Sequence, residues 1–316
     1  MAFIRLVHFA DVHLGVENYG RLDPSTGLST RLTDFMTAID RIMDAALAKE
    51  ADLVLLTGDA YKARNPSPTY QREFARRIRR LSRAGLPTVL VAGNHDMPNQ
   101  VGRAHTMEIL HTLEVENVYV ARTPDVFTIQ THHGPVQVGV LPWIVRSGLL
   151  SRKEYKNKNL EQVTRLLSQG VDETLKSENG LVARLDPQVP HVLAAHGTVQ
   201  GATYGSERAV MLGQEMILPL RLLKDPSWDY VALGHIHRHQ ALEAERLPPV
   251  VCPGSVERID FGEEREDKGS VIAEVERGRC SWMFHKLDAR RFVTSRANAD
   301  GDDPTAQVVS AIERIH

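Results

Sequence analysis

The sequence predicts an α/β fold in which two packed β-sheets carry helices on their outer faces. Short apolar runs alternate with helical patterns over residues 3–91, a succession that is typical of β-α-β units with right-handed crossovers. From about residue 117 onward, short apolar runs are separated mainly by turns, which is typical of strands that follow one another in a meander. No internal repeat or low-complexity segment interrupts this organisation.

The composition is that of a globular protein and excludes a fibrous or largely disordered chain. Of the 316 residues, 42% are apolar and 25% are charged, and the formal net charge is -2. Any binding to nucleic acid therefore does not depend on bulk positive charge. The two cysteines cannot make a disulfide framework, so we expect a reduced, cytoplasmic setting. No apolar run approaches about 20 residues, and we expect no association with a membrane.

The first part of the chain predicts a strand, a helix and a second strand. Residues 3–9 form an apolar run that suits a strand, and residues 53–57 form a continuous apolar run that suits a buried parallel strand. Between them, apolar residues recur at helical spacing over residues 31–49, with Ser29 or Thr30 as the N-cap.

A loop, a second helix and a third strand follow. Residues 65–68 contain two prolines and predict the loop, residues 69–84 predict a helix that ends at Gly85, and residues 87–91 predict the strand. The helix is rich in arginine, but its arginines are scattered around the helix axis. We therefore favour a solvated outer face with ion pairs over a DNA-binding stripe.

The second half predicts short strands and one long polar segment. Residues 118–120, 126–129 and 136–140 suit strands, and residues 132–135 suit the hairpin turn between the last two. The polar residues 151–185 predict helix. Later strands are expected at residues 191–195, 229–233, 249–251, 270–275 and 281–286.

The end of the chain suggests a domain boundary. The charged residues 262–268 predict a turn, residues 291–294 predict the start of a strand, and residues 304–315 predict one amphipathic helix. Because this last segment buries little surface by itself, we place one domain at residues 1–288. We expect residues 289–316 either to pack on that domain or to continue into a further one.

Polar residues that can bind metal follow five of the predicted strands. Ligands bind at the carboxyl ends of strands in open α/β sheets, so we expect these segments to meet at one rim. Each motif alone is a weak signal, and the remaining histidines lack such a context and are expected to be surface or structural residues. The five segments are Asp11-Val12-His13, Gly58-Asp59, Gly93-Asn94-His95-Asp96, His196-Gly197 and Gly234-His235-Ile236-His237.

The types of side chain in these segments predict a centre with two metal ions. Carboxylates, one carboxamide and several imidazoles suit manganese, iron or zinc rather than calcium, and magnesium is a further candidate. The number of ligands is sufficient for two ions if one carboxylate bridges them. Two ions about 3.5–4 Å apart would hold a phosphate group and generate hydroxide near neutral pH.

The ordered set of motifs resembles the calcineurin-like metallophosphoesterases. Within that superfamily, residues 8–15, 65–68, 141–143 and 253–262 are similar to the SbcD/Mre-type DNA repair nucleases. The resemblance implies a four-layer αββα fold with two mixed sheets over residues 1–288. It also implies that residues 289–316 begin a DNA-capping domain that is truncated here.

The resemblance implies a role for each motif residue. His95 would stabilise or protonate the leaving oxygen, and Asp96 would orient His95 and raise its basicity. Manganese is the usual activator in this family. One ion would be held by Asp11, His13, Asp59 and His237. The second ion would be held by Asp59, Asn94, His196 and His235, with Asp59 as the bridge.

One position departs from the pattern of many relatives, in which a second histidine follows the Gly-Asp motif. Lys62 stands near that place. A lysine cannot shuttle a proton at pH 7 unless it is strongly desolvated, but it can hold a phosphate. Arg64 and Tyr19 are further candidates for substrate contacts.

The resemblance predicts a manganese-dependent DNA nuclease, with double-strand exonuclease and single-strand endonuclease activity, that acts in double-strand-break repair. It implies an SMC-like ATPase partner of the SbcC/Rad type and a homodimer. Two alternatives stay open. One is a small-molecule phosphodiesterase, nucleotidase or protein phosphatase of the same superfamily. The other is a binding or scaffold subunit with an inactive site, against which the full set of ligands argues.

Overall fold

Two six-stranded β-sheets pack face to face in this computed structural model, which describes residues 3–98, 102–144, 160–205, 217–300 and 302–314. The strands are β1 (Ile4–Phe9), β2 (Leu53–Thr57), β3 (Thr88–Val91), β4 (Val118–Ala121), β5 (Asp125–Thr131), β6 (Gly134–Leu141), β7 (His191–His196), β8 (Thr198–Val199), β9 (Ile217–Leu218), β10 (Tyr230–Gly234), β11 (Gln240–Glu243), β12 (Val250–Cys252), β13 (Gly269–Glu276) and β14 (Arg279–Lys286). The helices are α1 (Thr30–Ala48), α2 (Pro68–Arg83), α3 (Glu108–Thr112), α4 (Leu160–Lys176), α5 (Leu220–Leu223) and α6 (Pro304–Glu313).

The first sheet has the strand order β14-β13-β1-β2-β3-β4. Strands β1 to β4 are parallel, whereas β13 pairs antiparallel with both β1 and β14. Strand β2 is buried along its whole length, as its continuous apolar sequence predicts. The parallel arrangement brings the carboxyl ends of β1, β2 and β3 to the same edge of the sheet.

Helix α1 covers the outer face of this sheet because its apolar residues share one side. Leu32, Phe35 and Ile39 are buried there, as the helical spacing predicts. Ser29 is the N-cap, and its side chain accepts a hydrogen bond from the backbone N–H of Arg31. This confirms one of the two N-caps that the sequence left open.

Helix α2 packs beside α1, and its arginines form the predicted ion pairs. Arg77 contacts Asp40 at 2.6 Å, and Arg80 contacts Asp44 at 2.5 Å. Both aspartates lie on α1, so these charges join the two helices on the outside of the sheet. The interpretation of the arginines as a solvated, ion-paired face is confirmed.

The second sheet has the order β11-β12-β10-β7-β6-β5. Strands β6, β7, β10 and β12 are parallel, and the edge strands β5 and β11 are antiparallel to their neighbours. The predicted hairpin joins β5 to β6. Apolar side chains of both sheets form the central core, and α4 packs on the outer face of the second sheet. The predicted class, two mixed sheets between helices, is confirmed.

Several short elements are not predicted by the sequence. They are too short for an apolar period to be recognised, and β11 consists of half-buried residues. They are α3, β8, β9, α5 and β11. Among the described residues, no helix is both long and apolar enough to cross a bilayer.

The helix predicted over residues 151–185 ends earlier in the structure. Residues 151–159 lie outside the described residues, and α4 ends at Lys176. The chain then folds back, because the backbone N–H of Leu181 donates to the carbonyl of Thr174 at 2.9 Å. A short 3-10 turn at Val182–Arg184 follows.

The strand predicted at residues 291–294 is wrong, because this segment is irregular. Thr294 donates from its backbone N–H and its hydroxyl to the carboxylate of Glu264, at 3.1 and 2.7 Å. Phe292 packs edge to face against the ring of Phe261, 4.9 Å away. The hydrogen bonds of the segment therefore go to a side chain rather than to a neighbouring strand. The helix predicted beyond it is present as α6.

The charged residues 262–268 begin with a turn, as predicted, but two of their side chains are buried rather than solvated. Glu263 is 0% exposed and Lys268 is 1% exposed. Their side chains form an ion pair of 2.7 Å inside the protein. A charged sequence usually indicates a solvated turn, but here each charge is compensated by the other.

Candidate metal centre

The predicted ligand segments meet where the carboxyl ends of strands from both sheets converge. Asp11 and Asp59 follow β1 and β2 of the first sheet, while His196 ends β7 and His235 follows β10 of the second. The backbone N–H of His235 donates to both carboxylate oxygens of Asp11, at 3.1 and 3.0 Å, which joins the two sheets at the site. The expected convergence on one rim is therefore what the structure shows.

The first group of ligand atoms comprises Asp11, His13 and His237, whose ligand atoms lie within 4.8 Å of one another. The Nε2 atoms of His13 and His237 are 3.0 Å apart. A carboxylate oxygen of Asp59 is 3.7 Å from His13 Nε2. Together with Asp59, the first group therefore contains the four residues that the resemblance assigns to the first ion.

The second group comprises Asp59, His196 and His235, whose ligand atoms also lie within 4.8 Å of one another. The carboxamide oxygen of Asn94 is 3.0 Å from a ring nitrogen of each of these histidines. The same Asp59 oxygen that faces His13 lies 3.6 Å from His196 Nε2. Asp59 therefore lies between the two groups, where a bridging ligand is required.

The donors at this centre fit a pair of divalent ions. Two imidazole nitrogens that face each other at 3.0 Å cannot both direct a lone pair at the other, unless a proton or a cation lies between them. The carboxylates and the carboxamide add oxygen donors, and this mixture suits manganese, iron or zinc. Six of the seven ligands are at most 8% exposed, so water does not compete freely for them.

The backbone at the ligands is strained, which is typical of functional sites. Asp11, His13, Asp59 and His235 all have positive φ, from 50 to 95°. A residue with a Cβ atom seldom adopts this conformation. Backbone hydrogen bonds hold it in place, since Asp11 donates to Gly58 at 3.1 Å and His13 donates to Asp59 at 2.9 Å.

Glycines of the motifs make room for the ligands. A Cβ atom on Gly58 would lie 2.0 Å from the ring of His196, and one on Gly93 would lie 2.1 Å from the carboxylate of Asp59. Both distances are far below van der Waals contact. Only glycine, which has no Cβ atom, fits at these two positions without displacing a ligand.

Two of the ligand histidines are oriented by hydrogen bonds behind the ring. His196 Nδ1 lies 2.7 Å from the carbonyl oxygen of Thr57, and His237 Nδ1 lies 2.7 Å from Oε1 of Glu263. Because these oxygens only accept, each Nδ1 carries the proton, and Nε2 presents its lone pair to the site. Sequence reasoning missed Glu263, and no local pattern distinguishes it from its charged neighbours.

The electrostatics favour the protonation states that bind metal. Burial would raise the pKa of Asp59, but the imidazoles of His196 and His13 outweigh it and hold that pKa well below its ordinary value. Burial lowers the pKa of His196 to about 4. Asp59 is therefore an anion and His196 is neutral near pH 7. Burial raises the pKa of Asp11 to about 7, and a nearby cation would favour its ionised form.

His95 adjoins the two ligand groups, and one of its ring nitrogens lies within 4.8 Å of ligand atoms of His13 and Asp59. Its Nδ1 is 2.7 Å from the carbonyl oxygen of Lys62, and its ring packs edge to face on His13, with 4.9 Å between the ring centroids. Its backbone N–H donates to Asp59 at 2.9 Å. His95 is half-buried, so its ring is open to a bound substrate.

The expected contact between Asp96 and His95 is wrong, because each side chain has other partners. His95 Nδ1 faces Lys62, whereas the buried carboxylate of Asp96 accepts hydrogen bonds from backbone N–H groups. The two side chains are adjacent in sequence but have different partners. The three donors to Asp96 are Gly93 at 2.9 Å, Tyr61 at 3.2 Å and Ala60 at 3.3 Å.

Two of the three candidate substrate contacts lie at one groove, and the third does not. Lys62 and Arg64 line an open groove together with His95. Tyr19 instead packs edge to face against Phe261, with ring centroids 5.1 Å apart, and is 57% exposed. Tyr19 is thus not among the residues that line this groove.

A further aromatic residue contacts the second ligand group. Trp143 has its ring centroid 5.2 Å from that of His235 and 6.1 Å from that of His196. Its backbone N–H donates to the carbonyl of Ala92 at 2.9 Å, which ties the segment after β6 to the loop after β3. In the sequence, Trp143 contributes only to a family resemblance, and nothing there gives it a place at the site.

Comparisons with known proteins agree with this geometry. The calcineurin-like phosphoesterase family matches residues 4–239. The DNA double-strand break repair protein Mre11 of Archaeoglobus fulgidus is 27% identical over an alignment of 271 positions, gaps included, that covers 82% of this chain and 52% of that protein. The SbcD subunit of the SbcCD nuclease of Rhodobacter capsulatus is 25% identical over an alignment of 332 positions, gaps included, that covers 99% of this chain and 76% of that protein. The chain thus spans about half the length of the first relative.

The solved structures give the same result for the fold. A dimetal phosphatase from Danio rerio superposes with a TM-score of 0.50 at 12% identity, over 90% of this chain and 99% of that one. At this identity the likeness concerns the fold alone. The family match covers most of the chain, and the two ligand groups lie within it. The chain therefore belongs to the calcineurin-like phosphoesterase family and is a metal-dependent phosphoesterase.

Proposed function

We propose that this chain is a two-metal nuclease that hydrolyses phosphodiester bonds in DNA, with manganese as its metal. The observation that carries the proposal is the pair of adjoining ligand groups that share Asp59, with His95 beside them. When bound, a pair of divalent ions neutralises the non-bridging phosphate oxygens and lowers the pKa of water toward neutrality. The residues of the chain supply the remaining requirements.

The ligands divide between the two ions according to the geometry. Asp11, His13 and His237 would hold the first ion, and Asn94, His196 and His235 would hold the second. Asp59 would bridge them, since one of its oxygens lies 3.7 Å from His13 and 3.6 Å from His196. The hydrogen bonds behind His196 and His237 keep both rings in the tautomer that binds metal.

His95 is proposed as the general acid that protonates the leaving oxygen. The carbonyl of Lys62 accepts from Nδ1, so Nε2 is the nitrogen left to exchange a proton with the substrate, and it can donate one only when the ring is doubly protonated. Asp96 does not touch the imidazole. It joins the loops after β2 and β3 through backbone N–H groups and so positions His95 and Asp59 relative to each other.

The groove beside His95 is proposed as the path of the DNA backbone. Lys62 and Arg64 supply positive charge there, and Asn65 supplies further hydrogen-bonding groups. Local charge of this kind binds phosphates although the net charge of the chain is -2. The aromatic ring of Tyr19 remains a candidate contact for a base.

The named relatives support a role in double-strand-break repair. One is called a DNA double-strand break repair protein and the other a nuclease subunit. We propose from these names that the chain is a subunit that works with an SMC-like ATPase of the SbcC/Rad type and forms a homodimer. Within it, residues 1–288 would form the nuclease domain and residues 289–316 would belong to a DNA-capping domain.

The proposal is tested by hydrolysis assays with and without Mn²⁺. The substrates are linear duplex DNA, single-stranded DNA and bis-p-nitrophenyl phosphate. We expect all three to be cleaved, and only in the presence of the metal. Cleavage of the small diester alone would favour a small-molecule phosphodiesterase over a nuclease. Absence of cleavage with two bound ions would favour a binding subunit.

His95→Gln tests the role of the general acid. We expect the variant to bind two Mn²⁺ ions as the wild type does and to lose about 10²- to 10⁴-fold in the rate of DNA cleavage. Calorimetric titration measures the metal, and the assay above measures the rate. His132→Gln, in the exposed hairpin turn, is the matched control and should leave both unchanged. Full activity of His95→Gln would contradict the assigned role.

A further inference from the structure

A buried carboxylate lies directly behind one of the proposed metal ligands. Glu263 is 0% exposed, and its Oε1 is 2.7 Å from Nδ1 of His237. Its other oxygen, Oε2, accepts from the backbone N–H of Ile259 at 3.0 Å. Both oxygens therefore have fixed partners, and the carboxylate has one orientation.

A buried ammonium group completes this cluster. Lys268 Nζ lies 2.7 Å from Oε2 of Glu263 and donates to the backbone carbonyl of His237 at 3.2 Å. It also donates to Oγ of Ser255 at 2.9 Å and to Glu266 at 2.9 Å. The imidazole of His237 and its backbone carbonyl are thus both held by one hydrogen-bonded ion pair.

Stability alone does not explain this arrangement. Removing two charges from water costs several kcal/mol per ion, and replacing a buried ion pair by apolar residues is often neutral or stabilising. The ligand of the second ion, His196, is oriented by a neutral carbonyl at the same distance of 2.7 Å. A carboxylate behind an imidazole fixes its tautomer and increases the basicity of the opposite nitrogen more than a carbonyl does. The two ligand groups therefore differ in the charge that supports them.

We propose that Glu263 and Lys268 are positioning residues that hold His237 for the first metal ion and set the affinity of that ion more strongly than that of the second. This inference rests on the metal assignment in the proposed function. The carboxylate directs Nε2 of His237 toward Asp11 and His13, and the ammonium keeps the carboxylate ionised although both groups are buried. Among the contacts of the described residues, none joins Glu263 or Lys268 to Asn94 or His196, which would hold the second ion.

Glu263→Gln is the first test, on the complete 316-residue chain. We expect its first-site affinity for Mn²⁺ to fall about 10- to 100-fold, with a smaller change at the second site, which shares only Asp59 with the first. Calorimetric titration gives both constants. Electron paramagnetic resonance gives an independent signature, because a spin-coupled manganese pair should be replaced by the six-line signal of a single ion. Glu264→Gln is the matched control, since this neighbouring half-buried carboxylate accepts its hydrogen bonds from Thr294.

A double variant separates positioning from folding. Glu263→Met combined with Lys268→Met replaces both charges by apolar side chains of similar volume, and such replacements are often neutral or stabilising. We expect the metal-free double variant to melt at or above the temperature of the wild type, yet to lose the first-site affinity as Glu263→Gln does. Equal weakening of both sites, or no weakening in a folded variant, would overturn the inference.

The outcomes also separate this inference from the proposed function. If the wild-type chain binds fewer than two Mn²⁺ ions under these conditions, the two-metal assignment itself is wrong. If the wild type and both variants bind two ions with the same constants, the assignment stands and only the positioning role fails.

Discussion

Individual residues at the centre adopt strained backbone conformations. Asp11, His13 and Asp59 each adopt a left-handed backbone conformation, which costs of the order of 1–3 kcal/mol per residue. This backbone conformation orients each side chain, so that it leaves the end of its strand toward the other sheet. Burial of apolar side chains in the core between the sheets offsets this unfavourable free energy.

Gly93→Ala should disable the centre. Its Cβ atom would lie 2.1 Å from the carboxylate oxygen of Asp59 and 2.5 Å from the backbone nitrogen of the same residue. Asp59 must move, and both ions lose their proposed bridge. We expect a loss of at least about tenfold in Mn²⁺ affinity and a destabilisation of about 1–3 kcal/mol, measured by calorimetric titration and denaturant unfolding.

Gly170→Ala is the control for this change and has the opposite expected sign. Gly170 lies inside α4, and a Cβ atom there would meet nothing within 4 Å. Alanine in a helix is more stable than glycine by about 0.5–1 kcal/mol. The variant should therefore unfold at higher denaturant concentration with unchanged metal affinity. A Gly93→Ala protein that behaved in the same way would refute the close-contact argument.

At the level of elements, the loops after the parallel strands carry both the ligands and the candidate substrate contacts. The loop after β2 begins with Asp59 and continues to Lys62 and Arg64 in the open groove. Its backbone is tied to the loop after β3 through Asp96 and through the contact of Lys62 with His95. Metal binding and DNA binding are therefore expected to depend on the same short segment.

Lys62→Ala tests whether this loop holds DNA. We expect weaker binding of duplex DNA, with the slope of log affinity against log salt reduced by about 1, because one phosphate contact is lost. Fluorescence anisotropy over a range of salt concentrations measures both quantities. Arg79→Ala, on the exposed side of α2, removes the same charge outside the groove and should leave the slope unchanged. Equal effects of the two variants would indicate non-specific attraction.

At the scale of the whole molecule, the two sheets are joined by a buried polar group as well as by apolar packing. His8 on β1 lies with Nε2 at 2.9 Å from the hydroxyl of Thr57 and with Nδ1 at 3.1 Å from the hydroxyl of Tyr230 on β10. Burial lowers the pKa of His8 to about 3. The folded protein therefore keeps this imidazole neutral at any pH above that value.

His8 predicts a specific pH dependence of stability for the metal-free protein. Below pH 6.5 the unfolded chain binds a proton at this residue and the folded chain does not, so stability falls as the pH falls toward about 3. The slope from this residue is at most about 1.4 kcal/mol per pH unit, and it vanishes above pH 6.5.

His8→Gln provides the measurement, because glutamine hydrogen-bonds both hydroxyls and does not titrate. Denaturant unfolding of both proteins in chelator should give a constant difference in free energy above pH 6.5. Below it, the wild type should lose stability relative to the variant. Parallel curves over the whole range would show that His8 does not titrate differently in the two states.

Sequence by itself determined the class of fold and the seven proposed metal ligands. The strands are continuous apolar runs, and helix α1 shows its period directly, because burial of one face imposes that pattern locally. The ligands were recognisable because each follows such a run. The rule that parallel strands end at one edge places Asp11 and Asp59, which follow two strands of one sheet, together without any structure.

Only the tertiary structure decided what supports those ligands. Glu263 and Lys268 have the sequence of a solvated turn, and nothing local shows that each neutralises the other beneath His237, 26 residues from the carboxylate. Asp96 adjoins His95 in sequence but binds the loop after β2 instead. Apolar periodicity is a property of one element, whereas the partner of a buried charge is supplied by another part of the chain.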